Sequence, residues 1–126
     1  MAKENPSKLS RKSLPPEVRL SVKASQDKKA EDIVVLDLRN VSTFTDFFVI
    51  VTGNSNRQNA AIYESIEQEL KKDRLVPLGV EGRELAEWIL IDYGSFVVHV
   101  FSKHARAYYS LEKLWGDAPR LSFAGH

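Results

Sequence analysis

Two stretches of the chain are almost continuously apolar, and each is short enough to form a single strand. Residues 33–38 read IVVLDL and residues 47–52 read FFVIVT, and polar residues bound both runs. A strand with one solvent-exposed face alternates apolar and polar side chains, whereas these two stretches do not. The pattern therefore predicts strands that are covered on both faces, as in an α/β sheet.

Two segments show the apolar spacing of an amphipathic helix. Residues 56–74 follow a capping box, in which the side chains of Ser55 and Gln58 can satisfy free amides at a helix start. Residues 15–29 begin with two prolines, which suit the first turn of a helix. Val18, Val22 and Ser25 mark only a weak helical stripe in residues 15–29.

The chain beyond residue 74 predicts an edge strand, a loop and a last helix. Residues 75–78 favour a short strand whose proline limits its pairing, and the glycines and charges of residues 79–84 predict a loop. Residues 103–115 predict a helix that Ser102 caps and Gly116 ends. The expected buried stripe of this helix is Ala107, Tyr108, Leu111, Leu114 and Trp115.

Residues 88–101 predict a β-hairpin, because two strand-like runs flank a two-residue turn, Gly94 and Ser95, that suits type II′. Such a turn fixes the register, so alternate side chains share a face. The face expected to join the core carries Ile89, Ile91, Tyr93, Phe96, Val98 and Val100. The opposite face carries Trp88, Leu90, Asp92, Val97, His99 and Phe101.

This second hairpin face has two interpretations. A helix can cover it, with Asp92 at the solvent edge and His99 as a buried, hydrogen-bonded imidazole. Alternatively the face is partly open and binds a protein. A tryptophan, a leucine and one carboxylate are the composition expected of a protein-binding hot spot with a polar rim. The residue types alone leave both interpretations open.

Length and composition favour one globular domain. The chain has 126 residues, of which 43% are hydrophobic and 28% charged. We expect residues 1–14 to be a disordered basic tail, residues 15–116 to be the folded domain and residues 117–126 to be a C-terminal tail. No apolar run suits a membrane span or a secretory signal, so we expect a cytoplasmic protein. The absence of cysteine excludes disulfides and thiolate chemistry.

The net charge of +1 hides an asymmetry along the chain. Residues 1–30 hold eight Lys or Arg against three acidic residues, whereas the rest holds ten against fourteen. A domain body with net negative charge has little general attraction for phosphate backbones. A nucleic-acid target would therefore have to be reached by shape, through the basic N-terminal arm or through a protein.

Catalytic chemistry has little support in the sequence. The three histidines are His99, His104 and His126. Their spacing does not match a metal-ligand motif such as HExxH. Ser55 or Ser102 could be combined with His99 and Asp92 into a triad, but no nucleophile-elbow sequence would hold it.

Residues 52–55 read TGNS and lie between a predicted strand and a predicted helix, where backbone amides could hold a phosphate. A turn with a helix cap is the simpler interpretation, because no GxxxxGK[ST] motif is present. The stretch resembles the Gly-Ser opening of nucleotidyltransferases, but the D-x-[DE] pair that would hold Mg²⁺ is missing. Asp37 and Asp46 are single acids near strand ends.

Several separate blocks occur in the order of one known family. They are DKKAEDIVVLDLRNVSTFTDFFVIVTGNSNRQ, PLGVEG, WILIDYGSFVVHVF and ARAYYSLEKLWGDAP, and they span residues 27–119. Together they resemble the ribosomal silencing factor family, also called the Iojap family. The most specific pieces are TFTDFFVIVTG and DYGSFVVHVF.

The resemblance implies a single α/β domain with a mixed sheet flanked by helices and a nucleotidyltransferase-like topology, without enzymatic activity or a cofactor. Members of the family are similar in binding the fourteenth protein of the large ribosomal subunit, where they block joining of the small subunit and repress translation when nutrients are scarce. They are often homodimers when free. Because organellar relatives act in ribosome assembly, an assembly factor is the alternative, and a nucleotidyltransferase-like nucleotide-binding protein is a more remote one.

The family pattern W-x-x-x-D-x-G falls on Trp88, Asp92 and Gly94. The hairpin register places Trp88 and Asp92 on the same face as Leu90, so we expect these three residues to contact the ribosomal protein. Weaker candidates, which could serve the loop or the core instead, are Glu81, Gly82 and His99. A rim or a plain solvated face could be formed by Arg106, Tyr109 and Lys113. The basic N-terminal tail could add a peripheral contact to ribosomal RNA.

Overall fold

The computed structural model describes residues 9–124 as a sheet with helices on both faces. In chain order its elements are α1 (Pro16–Asp27), β1 (Glu31–Asp37), β2 (Phe47–Gly53), α2 (Asn56–Lys72), β3 (Gly79–Glu81), β4 (Trp88–Asp92), β5 (Phe96–Ser102), α3 (Lys103–Tyr109), α4 (Leu111–Leu114) and β6 (Arg120–Phe123). No helix among these residues is long and apolar enough to cross a membrane.

The six strands form one mixed sheet in the order β3-β4-β5-β2-β1-β6. The central strands β2 and β5 are parallel, and every other neighbouring pair is antiparallel. Parallel neighbouring strands need a long connection, and here the connection from β2 to β5 consists of α2, β3 and β4. The predicted mixed α/β sheet is confirmed.

The first face of the sheet is covered by α1 and α2, which also pack against each other. Ile62, Ile66 and Leu70 of α2 are fully buried at the predicted helical spacing. The stripe of α1 is buried too, with Val18 and Val22 against the core and Ser25 donating its hydroxyl hydrogen bond to the Ser21 carbonyl. These two helices shield the inward side chains of all the long strands from water.

The second face of the sheet is covered over its centre by α3, α4 and the segment that follows them. Leu36, Ile50 and Phe101 are buried there beneath Ala105 and Ala118. This cover does not extend to the β3 edge, where the side chains of β4 remain partly exposed. The second face is therefore closed at its centre and open at one edge.

Both predicted tails contain ordered structure, so those two predictions are wrong within the described residues. Arg11–Ser13 form a 3-10 turn, and Leu14 is buried in the core of the first face; residues 1–8 lie outside the described residues. At the other end β6 pairs with β1. The short sequence RLSF forms a strand because its polar and apolar residues alternate, which places Leu121 and Phe123 against the core.

The predicted helix over residues 103–115 is in fact two helices joined at Ser110, whose φ of +47° is left-handed. The bend changes which side chains face the sheet, because the helical spacing restarts after it. Tyr108 and Leu114 are therefore exposed, and Ala107 is exposed as well, whereas Ala105 is buried. The predicted buried stripe is wrong for these three residues.

The edge strand predicted at residues 75–78 lies a few positions later, at β3, inside the stretch predicted to be a loop. Pro77 lies two positions before Gly79, the first residue of β3, and has no backbone N–H to donate. The first backbone bond to β4 on this side runs from the Leu78 N–H to the Asp92 carbonyl at 2.7 Å. Pairing therefore starts only after the proline, and the strand is confined to three residues.

Candidate protein-binding site

Strand β4 divides its side chains between the two faces of the sheet. Ile89 and Ile91 are fully buried on the first face, whereas Trp88, Leu90 and Asp92 are half-buried on the second. The strand pairs with β5 in the predicted register, from Trp88 opposite Phe101 to Asp92 opposite Val97. Glu81, an exposed residue of β3, pairs with Leu90 of β4. We call Trp88, Leu90, Asp92 and Glu81 the open patch.

The indole of Trp88 is held by three neighbouring side chains. Its ring centroid lies 5.0 Å from that of Phe101 and 4.5 Å from that of Tyr109, so rings from β5 and α3 flank it. Its Nε1–H donates a hydrogen bond of 3.0 Å to Nδ1 of His99. A partly exposed tryptophan with these contacts has one defined orientation.

His99 lies behind Trp88 and is only 3% exposed. Burial lowers its pKa from 6.5 to about 3, because the charged imidazolium would lose its hydration. The ring of Phe48 packs edge-on against it with centroids 4.4 Å apart. His99 is thus a neutral, buried imidazole, as the helix-covered interpretation expected, while Trp88 and Leu90 beside it are partly open, as the alternative expected.

Asp92 and Gly82 shape the two ends of β4. The Asp92 carboxylate accepts a hydrogen bond of 2.8 Å from the Gly94 N–H and so fixes the hairpin turn, where Gly94 has a φ of +87°. Gly82 has a φ of +84°, and a Cβ there would lie 2.0 Å from the Trp88 carbonyl oxygen. Gly82 therefore permits the close passage of two backbone segments next to the patch.

A row of aromatic rings continues from Trp88 across the second face. Phe48 lies 6.1 Å from Trp115, and Trp115 lies 6.2 Å from Phe44 in the loop between β1 and β2. Phe44 is 65% exposed. No contact was predicted for this loop; the sequence signal that marks it is a phenylalanine among Ser and Thr residues before a buried strand.

Arg106 was predicted to lie on a rim or a solvated face, and this prediction is wrong. Its side chain is 12% exposed and bonds inward to the Thr52 hydroxyl at 2.8 Å and the Glu112 carboxylate at 2.7 Å. It also donates to the backbone carbonyl of Asp32. Arg106 ties the bend between α3 and α4 to the sheet and so keeps Tyr109 against Trp88.

Comparison with known proteins identifies the family. The family model described as "Ribosomal silencing factor during starvation" matches residues 11–125. The chain belongs to the ribosomal silencing factor family. The resemblance seen in the sequence blocks is thereby confirmed.

Relatives of this silencing factor family match at the levels of sequence and structure. A ribosomal silencing factor of Halalkalibacterium halodurans is 46% identical over 86% of this chain and 92% of its own. A crystal structure of a Chromobacterium violaceum protein superimposes with a TM-score of 0.78 at 38% identity, covering 79% of this chain and 83% of that one. A mouse protein named mitochondrial assembly of ribosomal large subunit protein 1 is 32% identical over 79% of this chain and 45% of its own.

In this member of the silencing factor family the catalytic candidates are engaged elsewhere. Nδ1 of His99 accepts from Trp88, and the Ser102 hydroxyl donates to the Glu87 carboxylate at 2.8 Å, so the structure does not assemble the triad. His104 is exposed and stacks on Tyr108 with centroids 6.5 Å apart, and His126 lies outside the described residues. Among residues 9–124 no group of three or more His, Asp or Glu is placed to hold a metal ion.

The TGNS stretch is a turn with a helix cap. The Ser55 hydroxyl accepts from the Gln58 N–H at 3.0 Å, and Gln58 Oε1 accepts from the Asn54 N–H at 2.5 Å. The side-chain Nε2 of Gln58 donates to the backbone carbonyls of Lys28 and Lys29. The predicted capping residues therefore engage two backbone amides of this helix start, those of Asn54 and Gln58.

Proposed function

We propose that this silencing factor binds the large ribosomal subunit through its fourteenth protein and thereby prevents the small subunit from joining. The partly exposed Trp88 of the open patch is the observation that most supports this proposal. Family membership supports the ribosome as the target, and the family pattern of the sequence supports these residues as the contact. Translation would be repressed in this way when nutrients are limiting.

The open patch has the properties of a protein-binding hot spot. A tryptophan surrounded by partly buried side chains loses little conformational freedom on binding, because its neighbours already fix its ring. Leu90 adds apolar area beside Trp88. Truncating a tryptophan that anchors an interface typically costs about 2 kcal/mol or more of binding free energy. Two carboxylates, Asp92 and Glu81, lie at the margin and favour a basic partner surface.

The weaker candidates support the patch by different means. Gly82 acts through its backbone, because its positive φ and its approach to the Trp88 carbonyl define the loop between β3 and β4. His99 is too deeply buried to offer much surface, and its contact with the indole connects it to the patch. Tyr109 is 48% exposed and extends the apolar surface next to Trp88.

The proposed mechanism is steric and needs no turnover. A folded domain anchored on one protein of the large subunit occupies volume that a contact with the small subunit requires. The basic residues of the N-terminal segment add a salt-dependent contact to ribosomal RNA. The free protein is proposed to be a homodimer, which sedimentation equilibrium would test directly.

Sedimentation of ribosomal subunits tests this proposal. Purified large and small subunits are mixed with increasing protein, and the wild type should leave them separate while Trp88→Ala allows them to join. Tyr108→Ala is the matched control, because Tyr108 is 74% exposed and lies outside the open patch. Joining that proceeds unhindered at saturating wild-type protein would overturn the proposed function.

Assembly of the large subunit is the second candidate function. The mouse relative, named for mitochondrial assembly of the ribosomal large subunit, favours it. A strain without this protein should then accumulate precursor large subunits during rapid growth. The silencing proposal instead expects normal particles in growth and excess translation in starvation.

A further inference from the structure

The hydrogen bond between Trp88 and His99 uses the single polar group of the indole. The two residues are diagonal neighbours on β4 and β5, since His99 pairs directly with Leu90. Nε1 of Trp88 lies 3.0 Å from Nδ1 of His99, which is buried. The N–H edge of the indole therefore points into the protein, and the exposed part of the side chain is ring carbon.

His99 is a costly residue to keep at this position if packing is its purpose. Because Nδ1 accepts from Trp88, the proton of the neutral ring is on Nε2. Nε2 is buried and has no hydrogen-bond partner among the described residues. A buried donor without a partner costs free energy, whereas a phenylalanine or leucine among Phe48 and Phe101 would not incur this cost.

The other contacts of Trp88 do not select its orientation. Phe101 and Tyr109 flank the ring, but neither accepts the hydrogen bond of its N–H, so they offer no polar preference between this orientation and one turned over about the χ2 angle. Only an inward acceptor distinguishes the two orientations. Since burial keeps the pKa of His99 near 3, that acceptor is present throughout the neutral and mildly acidic range.

We propose that His99 is a positioning residue of the open patch, which turns the indole N–H of Trp88 inward so that the partner meets only ring carbon. This inference rests on the proposed function. The complementary site on the partner is accordingly an apolar pocket without a hydrogen-bond acceptor for the indole. Basic groups of the partner contact the margin at Asp92 and Glu81.

The test uses the full chain and its two tryptophans, Trp88 and Trp115. His99→Phe keeps a ring and removes the acceptor, whereas His99→Asn removes the ring and keeps an acceptor near the position of Nδ1. Indole N–H exchange is measured by NMR, with Trp88→Phe to assign the signals. His99→Phe should accelerate exchange at Trp88 at least about ten-fold and leave Trp115 unchanged, while His99→Asn should retain slow exchange.

Affinity for purified large ribosomal subunits is the second readout. His99→Phe should bind about five-fold more weakly, as expected for the loss of one neutral hydrogen bond, and His99→Asn should bind more like the wild type. Circular dichroism establishes that each variant folds. If His99→Phe fails to fold, His99→Leu supplies the variant without an acceptor.

The outcomes separate the two proposals. Unchanged Trp88 exchange in a folded variant without the acceptor would overturn the positioning role, and so would faster exchange with unchanged affinity. In both cases the wild type still binds the large subunit, so the proposed function stands. Failure of the wild type to bind would overturn the proposed function and the positioning role together.

Discussion

The two faces of the sheet are made by the same strands but have different covers. On the first face, helices of 12 and 17 residues lie across the strands, and Ile89 and Ile91 are completely buried. On the second face, helices of seven and four residues cover only the centre, so Leu90, between those isoleucines in sequence, remains partly exposed. One strand thus contributes to a sealed core and to an open surface.

This difference separates the part of the sheet that stabilises the fold from the surface that we propose for recognition. Full burial of an isoleucine contributes roughly 1.5–3 kcal/mol to folding, while a partly exposed leucine contributes less and leaves apolar area on the surface. The short, bent cover of the second face leaves room for recognition at its edge. The first face supplies the stability that such an exposed edge requires.

Substitution of neighbouring residues on β4 should give the largest contrast between the faces. Ile91→Ala is expected to reduce the free energy of unfolding by about 3 kcal/mol, because it leaves a cavity in the core beneath α2. Leu90→Ala should reduce it by less than about 1 kcal/mol but weaken binding to large ribosomal subunits roughly ten-fold. Urea denaturation and a binding titration measure the two effects.

Two results would contradict this difference between the faces. If Leu90→Ala destabilised the protein as much as Ile91→Ala did, the second face would be closed at this edge. Equal binding by Leu90→Ala and the wild type would remove Leu90 from the proposed contact.

Glycine substitutions beside the patch should have the next largest effect. Gly82→Ala is expected to reduce the free energy of unfolding by about 2 kcal/mol, because φ is +84° and the new Cβ would overlap the Trp88 carbonyl oxygen. Gly79→Ala is the matched control on β3, since a Cβ there meets no atom within 4 Å. Thermal unfolding of the pair checks the difference, and equal melting temperatures would contradict it.

The pH dependence of stability should give the smallest effect. The pKa of His99 is lowered to about 3 in the folded protein by burial, whereas it is near 6.5 when unfolded. The unfolded state therefore binds more protons between these values, so stability is full above pH 6.5 and falls as the pH drops. From pH 7 to 5.5 the loss due to His99 is expected to be about 1 kcal/mol.

A comparison with His99→Phe isolates this contribution, because that variant lacks the titrating group. Burial raises the pKa of Asp37, but the hydrogen bonds from Arg39 lower it more, so its net shift is downward. A carboxyl group with a lowered pKa loses its stabilisation near and below pH 4, outside the tested range. Identical pH profiles of wild type and variant would mean that His99 is accessible to protons in the folded state.

The sequence was most informative where local geometry determines the outcome. The two-residue turn at Gly94 set the hairpin register, and that register correctly divided the faces of β4 and β5. The cap at Ser55 was predicted for the same reason, since its hydrogen bonds join residues four or fewer positions apart. Such features depend on neighbours in the chain.

Features that depend on distant packing were missed. Ser110 is neither glycine nor proline, so its left-handed backbone conformation could not be predicted from the sequence. The exposure of Tyr108 follows from the bend at Ser110. The short strand β6 resembled a tail because its partner, β1, lies far away in the chain. The exposure of Trp88 and its bond to His99 likewise depend on where α3 and α4 lie over the sheet.

The pairing of β6 with β1 has a consequence for how the protein is made. Among the described strands β1 is synthesised first and β6 last, so the outer edge of β1 stays unpaired while the intervening residues emerge. An uncovered strand edge is a template for pairing with another chain. The nascent protein therefore passes through a stage at which this edge is vulnerable to misassembly, and the pairing of β6 with β1 ends that stage.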